Sequence, residues 1–303
     1  MRWLELSARV DAEAVEAVGE VFSRVAANGI AVEPEVRPGP DDGFELGGEA
    51  TVRGYIPLAP DSPAKTRQVE EALWHLRAIW PVGELTVREI AEADWANAWK
   101  EHYTTFRVGR HLVIRPSWVD YSPEPDDVVI SLDPGAAFGT GLHPTTRRCL
   151  QLLEDVIQPD DQVFDVGTGS GILAIGAYRL GARHVLAVDV DPIAVSAAAD
   201  NVALNHASQQ IDVRLGSAEA PGDRTFDVVV ANIIARVLIE LADQLASRVR
   251  PGGTLIAAGI IAERADEVAG AFGRAGLTVE RFVDGDWTAL WANRPITSPL
   301  AGR

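Results

Sequence analysis

The stretch VFDVGTGSGILAIGA, residues 163–177, reads as a strand, a turn and the start of a helix. Asp165 falls at the strand's end, and Gly167, Gly169 and Gly171 occupy the turn, where the absence of a Cβ lets backbone approach a ligand closely. A dinucleotide site carries G-x-G-x-x-G and aims a helix N-terminus at a pyrophosphate. Here the spacing is G-x-G-x-G, with an acid two residues ahead of the first glycine. A carboxylate in that place repels phosphate and attracts a cationic end. S-adenosylmethionine, with a sulfonium, an ammonium and ribose hydroxyls but no phosphate, has that chemistry. Asp165 and the three glycines are therefore candidate cofactor residues; the competing reading of the triplet is a plain turn.

The next strand-like run, HVLAVDVD at 184–191, ends in Asp189, eighteen residues after Gly171, the place of the acid that bonds a ribose diol in doubly wound sheets. Asp191 competes for that role, but Asp191-Pro192 reads as the N-cap and first position of a helix, so Asp189 is favoured. Further on, FDVVVANII at 226–234 puts Asn232 after the apolar residues 228–231. A side-chain amide at such a tip either caps the helix that follows or orients a methyl acceptor in the crevice, which makes Asn232 the candidate catalytic residue. SLDPGAAFGTGLHPTT at 131–146 supplies a loop with Gly135, Gly139 and Gly141, a flap over the cofactor, and Pro144 to open a helix. His143 at its end reads either as a base or, preferably, as a cap or surface residue.

Short apolar runs at 163–166, 185–188 and 228–231 alternate with helical stretches near 172–180, 192–205 and 235–249, which predicts a parallel sheet buried on both faces. The runs 277–283 and 288–292, joined by Asp284-Gly285-Asp286, predict an antiparallel hairpin at its end. The first ninety residues read instead as strand 3–8, helix 12–27 closed by Asn28-Gly29, strand 30–36, loop 38–43, strand 50–58, a helix from Ser62-Pro63 to about Trp80, and strand 85–90. That βαββαβ order suits a ferredoxin-like α+β domain. Between the two lies an aromatic segment with Trp95, Trp99, Tyr103, Phe106, Trp118 and Tyr121. The predicted organisation is thus a recognition domain over 1–92, a packed connector over 93–126 and a Rossmann-like α/β domain over 127–303.

Twenty-seven basic residues against forty-four acidic ones give a net charge of −17, which argues against a general nucleic-acid binder; an acidic surface prefers a basic partner, but solubility alone is the favoured reading of the charge. The first sixty residues alone hold five arginines, no lysine and eleven acids, a net of −6. One cysteine, Cys149, and six scattered histidines provide neither a disulfide nor zinc spacing, so no metal site is expected. Charges at residues 2, 5, 9 and 11 break any signal-peptide core, and the apolar stretch 252–262 is far short of the roughly 20 residues a spanning helix needs. The expectation is a cytoplasmic protein with no membrane association.

The segments DPGAAFGTGLHPTT (133–146), DVGTGSGILAIGA (165–177), VDVDPIAV (188–195) with Asn201, and NIIA (232–235), with DWANAWKEHY (94–103) and RPSW (115–118) upstream, resemble the bacterial ribosomal protein methyltransferases called PrmA. The resemblance implies a ferredoxin-like recognition domain, a connector and a class I methyltransferase domain that uses S-adenosylmethionine to methylate lysine side chains and an N-terminal amine of the large-subunit ribosomal protein L11. It implies cofactor contacts at Thr146, Gly167, Asp189 and Asn232. The alternatives left by the residues themselves are a class I methyltransferase acting on another protein, a small molecule or RNA, a nicotinamide-dependent oxidoreductase, and a non-catalytic module of Rossmann-like fold. The spacing G-x-G-x-G disfavours the oxidoreductase, and the acidic N-terminal region disfavours RNA.

Overall fold

The computed structural model describes residues 2–11, 14–26, 30–38, 44–91, 104–133 and 139–296. The chain divides into two compact units, Met1–His102 and Tyr103–Arg303.

The first unit runs β1 (Arg2–Asp11), α1 (Val15–Ser23), β2 (Ile30–Pro38), β3 (Phe44–Pro57), α2 (Ser62–Leu76) and β4 (Thr86–Ala91). Its sheet has the order β2-β3-β1-β4 and every pairing is antiparallel. This is the ferredoxin-like arrangement predicted from element order. Leu6, Ala8 and Val10 alternate along β1, so all three face one side, where they share a core with Val18 and Phe22 of α1 and Val69 and Leu73 of α2. Burying each of the larger of these side chains contributes about 1.5–3 kcal/mol. The helix expected to run to Trp80 stops at Leu76. Arg77 then turns its guanidinium onto the carbonyls of Val82 and Gly83, closing the turn that contains Pro81. Asn28-Gly29 and most of the loop 38–43 lie outside the described residues, as do Trp95, Trp99 and Tyr103.

The second unit begins with a three-stranded sheet, β5 (Phe106–Val108), β6 (Leu112–Pro116) and β7 (Val128–Leu132), in which β6 pairs antiparallel with β5 and parallel with β7. β5 and β6, which fall in the segment 93–126, are hydrogen-bonded to each other and, through β6, to β7. Arg107 and Tyr121 both bond the Asp127 carboxylate and close the 117–127 loop back onto β5.

Then come α3 (Pro144–Val156), β8 (Gln162–Val166), α4 (Ile172–Arg179), β9 (His184–Asp189), α5 (Pro192–Leu204), β10 (Ile211–Leu215), β11 (Phe226–Asn232), α6 (Ala235–Glu240), α7 (Ala242–Arg248), β12 (Val249–Ile261), α8 (Ala265–Arg274), β13 (Thr278–Asp284) and β14 (Trp287–Asn293). The sheet order is β10-β9-β8-β11-β12-β14-β13, parallel from β10 to β12, with β14 antiparallel to both its neighbours. The hairpin expected at Asp284-Gly285-Asp286 forms the end of the sheet, with Gly285 at φ 57°. The stretch 235–249 is two short helices meeting at Leu241. The apolar run 252–262 is most of β12, the strand that joins the parallel and antiparallel halves. No helix among the described residues is long and apolar enough to cross a membrane.

Candidate active site

Strand order reverses at β8, which has β9 on one side and β11 on the other, and the carboxyl ends of these three strands carry the predicted residues. Val166 pairs with Val188 and with Ala231, so Asp189 and Asn232 both sit one step beyond the end of β8, on either side of Gly167. With strands about 4.8 Å apart, the two tips stand about 10 Å from each other across the turn. That crevice is where open α/β sheets bind ligands.

Gly167, Gly169 and Gly171 have φ of 76°, 56° and 84°. At Gly167 the need for glycine is double, since the backbone is left-handed and a Cβ would stand 2.3 Å from Ile233 Cγ2. Ile233 is held from the other side as well, where a Cβ on Gly259 would meet its carbonyl oxygen at 2.6 Å. The residue after Asn232 is thus wedged between two glycines, which fixes the tip of β11.

Asp189 accepts from the Gly169 amide at 2.9 Å through Oδ2 and from the Asp191 amide at 3.0 Å through Oδ1. Each carboxylate oxygen keeps a second lone pair for a further donor. Asp191 caps α5, its Oδ1 accepting from the Ile193 amide at 2.8 Å with Pro192 in the first turn, the role its sequence context suggested. Asp165 is fully buried. Its Oδ2 accepts from the Thr168 hydroxyl at 2.7 Å, and its Oδ1 has no partner among the described residues. Burial, opposed by the Thr168 bond and the Ala174 backbone and increased by the nearby Asp189 charge, pushes the Asp165 carboxyl up to about 7.

Asn232 does not cap the helix after it, because the residue ahead of α6 is Ile234 and the Asn232 amide donates instead to Thr146 Oγ1 at 3.1 Å. Thr146 is fully buried in the first turn of α3. His143 is the N-cap of that helix: Nδ1 accepts from the Thr145 amide at 3.3 Å and the ring stands edge-on to Trp287, with 4.8 Å between centroids. Burial lowers its affinity for a proton. The capping role holds, and the ring is engaged in packing.

Three residues with a part in the site had no assigned role from the sequence. Ser170 donates its hydroxyl to the Gly139 carbonyl at 2.6 Å. Asn201 joins the Asp133 backbone to the Ser170 carbonyl, and Asn205 binds both backbone groups of Ser131. The loop predicted as a flap is therefore tied down at Asp133 and at Gly139, while 134–138, with Gly135, lie outside the described residues. Two asparagines four residues apart, at the end of a largely apolar helix and at its C-cap, were the available signal.

A family model described as Ribosomal protein L11 methyltransferase (PrmA) matches residues 2–295. A protein of Chloroflexus aurantiacus named Ribosomal protein L11 methyltransferase is 46% identical, over 97% of this chain and 98% of its own length. One of the same name from Herpetosiphon aurantiacus is 45% identical, over 98% and 100%. Among solved structures, a ribosomal protein L11 methylase from Lactobacillus delbrueckii subsp. bulgaricus aligns with a TM-score of 0.59 at 38% identity, covering 64% of this chain and all of its own. With its strand order, its glycine turn and a family match over nearly its whole length, the chain belongs to the ribosomal protein L11 methyltransferase (PrmA) family.

Proposed function

We propose that this chain methylates ribosomal protein L11 at lysine side chains and at the N-terminal amine, with S-adenosylmethionine as donor. Gly167, Gly169, Gly171 and Asp189 hold the donor, Thr146 and Asn232 form the acceptor side, and the first ninety residues recognise the substrate. The observation that carries the acceptor assignment is the Asn232 to Thr146 bond beside the glycine turn.

The residues fit such a donor in kind. Asp189 retains lone pairs for ribose hydroxyls, Gly167, Gly169 and Gly171 carry no Cβ, and Asp165 is buried next to the turn with its carboxyl bonded to the Thr168 hydroxyl. When bound, S-adenosylmethionine supplies an electrophilic methyl on a sulfonium. The chain's task is then proximity, alignment and exclusion of water.

A lysine of reference pKa near 10.4 costs about 4 to 5 kcal/mol to deprotonate at neutral pH, and a bare carboxylate beside it would raise that cost. Asn232 avoids this. Its NH2 group is committed to Thr146, which leaves its carbonyl oxygen to accept from the acceptor amine and point the nitrogen lone pair at the methyl. His143, capping a helix with a depressed proton affinity, is not assigned as the base.

The −6 charge of the first sixty residues suits a basic substrate, and the proposal includes no direct nucleic-acid contact and no membrane. Calorimetry tests the donor assignment: S-adenosylhomocysteine binds saturably and NAD does not, and the reverse result would overturn it. Added salt tests the recognition role, since association with L11 should slow past about 0.1 M, where the Debye length is near 10 Å.

A further inference from the structure

We propose that Asn201 is a positioning residue for the glycine turn, its side-chain amide tying the end of β7 to the Ser170 carbonyl and so fixing the turn's amides for the donor. The inference rests on the reading of that turn as the donor site.

The geometry is a match of two repeats. Four residues along a helix advance about 6 Å, and two along a strand about 6.6 Å. Asn201 and Asn205, four apart at the end of α5, therefore meet Ser131 and Asp133, two apart at the end of β7. Asn205 Oδ1 accepts from the Ser131 amide at 3.0 Å and its Nδ2 donates to the Ser131 carbonyl at 2.6 Å. Asn201 repeats the pattern on Asp133, at 2.8 and 3.0 Å. Two side chains thus stand in for a neighbouring strand along an edge that would otherwise leave backbone groups unpaired.

Only Asn201 makes a third bond into the site. Its second amide hydrogen goes to the Ser170 carbonyl at 2.9 Å, whereas the other donor bond of Asn205 goes back to the Asn201 carbonyl. Ser170 lies between Gly169, whose amide reaches Asp189, and Gly171, whose Cβ position is 3.3 Å from Ala198 of the same α5. The amides of Gly167, Thr168 and Gly171 are bonded to the carbonyls of Val188 and Thr168, and the Asn201 amide adds a bond that holds the Ser170 carbonyl. Both asparagines are 1% exposed, so water does not replace the bonds. The two residues differ in what they reach while sharing burial, helix and chemistry, which makes Asn205 the internal control.

The test uses the full chain, S-adenosylhomocysteine as probe, and amide hydrogen exchange at Gly169. Asn201→Asp keeps the acceptor for the Asp133 amide and removes both donors; Asn205→Asp does the same toward Ser131. We expect Asn201→Asp to weaken binding about tenfold or more and to speed Gly169 exchange by a similar factor, while Asn205→Asp, with a comparable loss of thermal stability, stays within about threefold of the parent in both. If Asn201→Asp does not fold, Asn201→Ser is judged by the same two readouts. Parent-like affinity and exchange in the Asn201 variant, or equal effects from the two asparagines, overturn the positioning role. Asp189→Ala separates the two readings: if it too binds like the parent, the donor assignment of the turn fails, whereas weakened Asp189→Ala beside an unaffected Asn201 variant overturns the positioning role alone.

Discussion

Asn232, the last residue of β11, gives an amide hydrogen to Thr146 in the first turn of α3, joining two positions 86 residues apart at the edge of the crevice. The bond orients the one side-chain amide at the strand tips, and Thr146 is too buried for water to take its place. Replacing Thr146 with Val keeps the shape and removes the acceptor. Turnover should fall about 10- to 100-fold, the equivalent of about 1–3 kcal/mol for losing the bond that orients the half-buried Asn232 amide, with Thr146→Ser recovering most of it. Steady-state kinetics with both variants decides, and unchanged turnover in the valine form would remove Thr146 from the acceptor side.

Asp189→Ala should weaken S-adenosylhomocysteine binding by about 1.5–3 kcal/mol, the scale of a lost charge-assisted hydrogen bond. Part of that loss would arise in the turn itself, because the Gly169 and Asp191 amides lose their acceptor together. Titration calorimetry measures it, and an unaltered constant would return the ribose role to Asp191.

The Asp165 carboxyl, pushed up to about 7 from 3.8, binds a proton more tightly in the folded chain than in the unfolded one. The folded state is therefore favoured below about pH 4, loses that advantage as pH rises toward 7, and loses no more above it. Over this window the group's contribution should decline by about 4 kcal/mol at most, and Asp165→Asn should flatten that part of the stability profile. Denaturant unfolding between pH 4 and 8 checks the slope; identical profiles for parent and variant would contradict it. A cationic ligand acting on this carboxyl would favour its ionised form, so binding near pH 6.5 should release protons, measurable as a dependence of binding heat on buffer ionisation.

Much of this site was legible in the sequence because its residues follow apolar runs directly. Asp189 and Asn232 end such runs, and the glycine turn is contiguous. The parallel part of the sheet followed from the alternating elements. β12 was not called a strand: the run 252–262 was weighed only as a membrane span, and the strand gains its place by pairing with β11 and β14. The half of the aromatic segment that joins the second unit was equally hidden, since β5 and β6 are short and β6 is paired with a strand across an intervening loop. The position of Asp165 along its strand was legible but not its depth, which is full burial. Nothing in local spacing could reveal that Thr146 and Asn232 meet, or that Asn201 and Asn205 span a strand edge.

Gly167→Ala should destabilise the chain by about 2 kcal/mol or more, through its left-handed backbone and the 2.3 Å approach to Ile233. Gly285→Ala has a similar φ but nothing within 4 Å, and should cost only about 1 kcal/mol. Thermal melts of the pair separate conformational strain from steric contact. Equal losses would mean that Ile233 yields freely and does not fix the tip of β11.

The most direct measurement is transfer of isotopic label from S-adenosylmethionine to unmethylated ribosomal proteins by the parent chain, with Asn232→Ala alongside, followed by identification of the labelled protein and residue. The account predicts label on L11, at lysine side chains and the N-terminal amine, with the Asn232 variant binding S-adenosylhomocysteine yet transferring little. Label on a different protein or on RNA, or full transfer by Asn232→Ala, would contradict it.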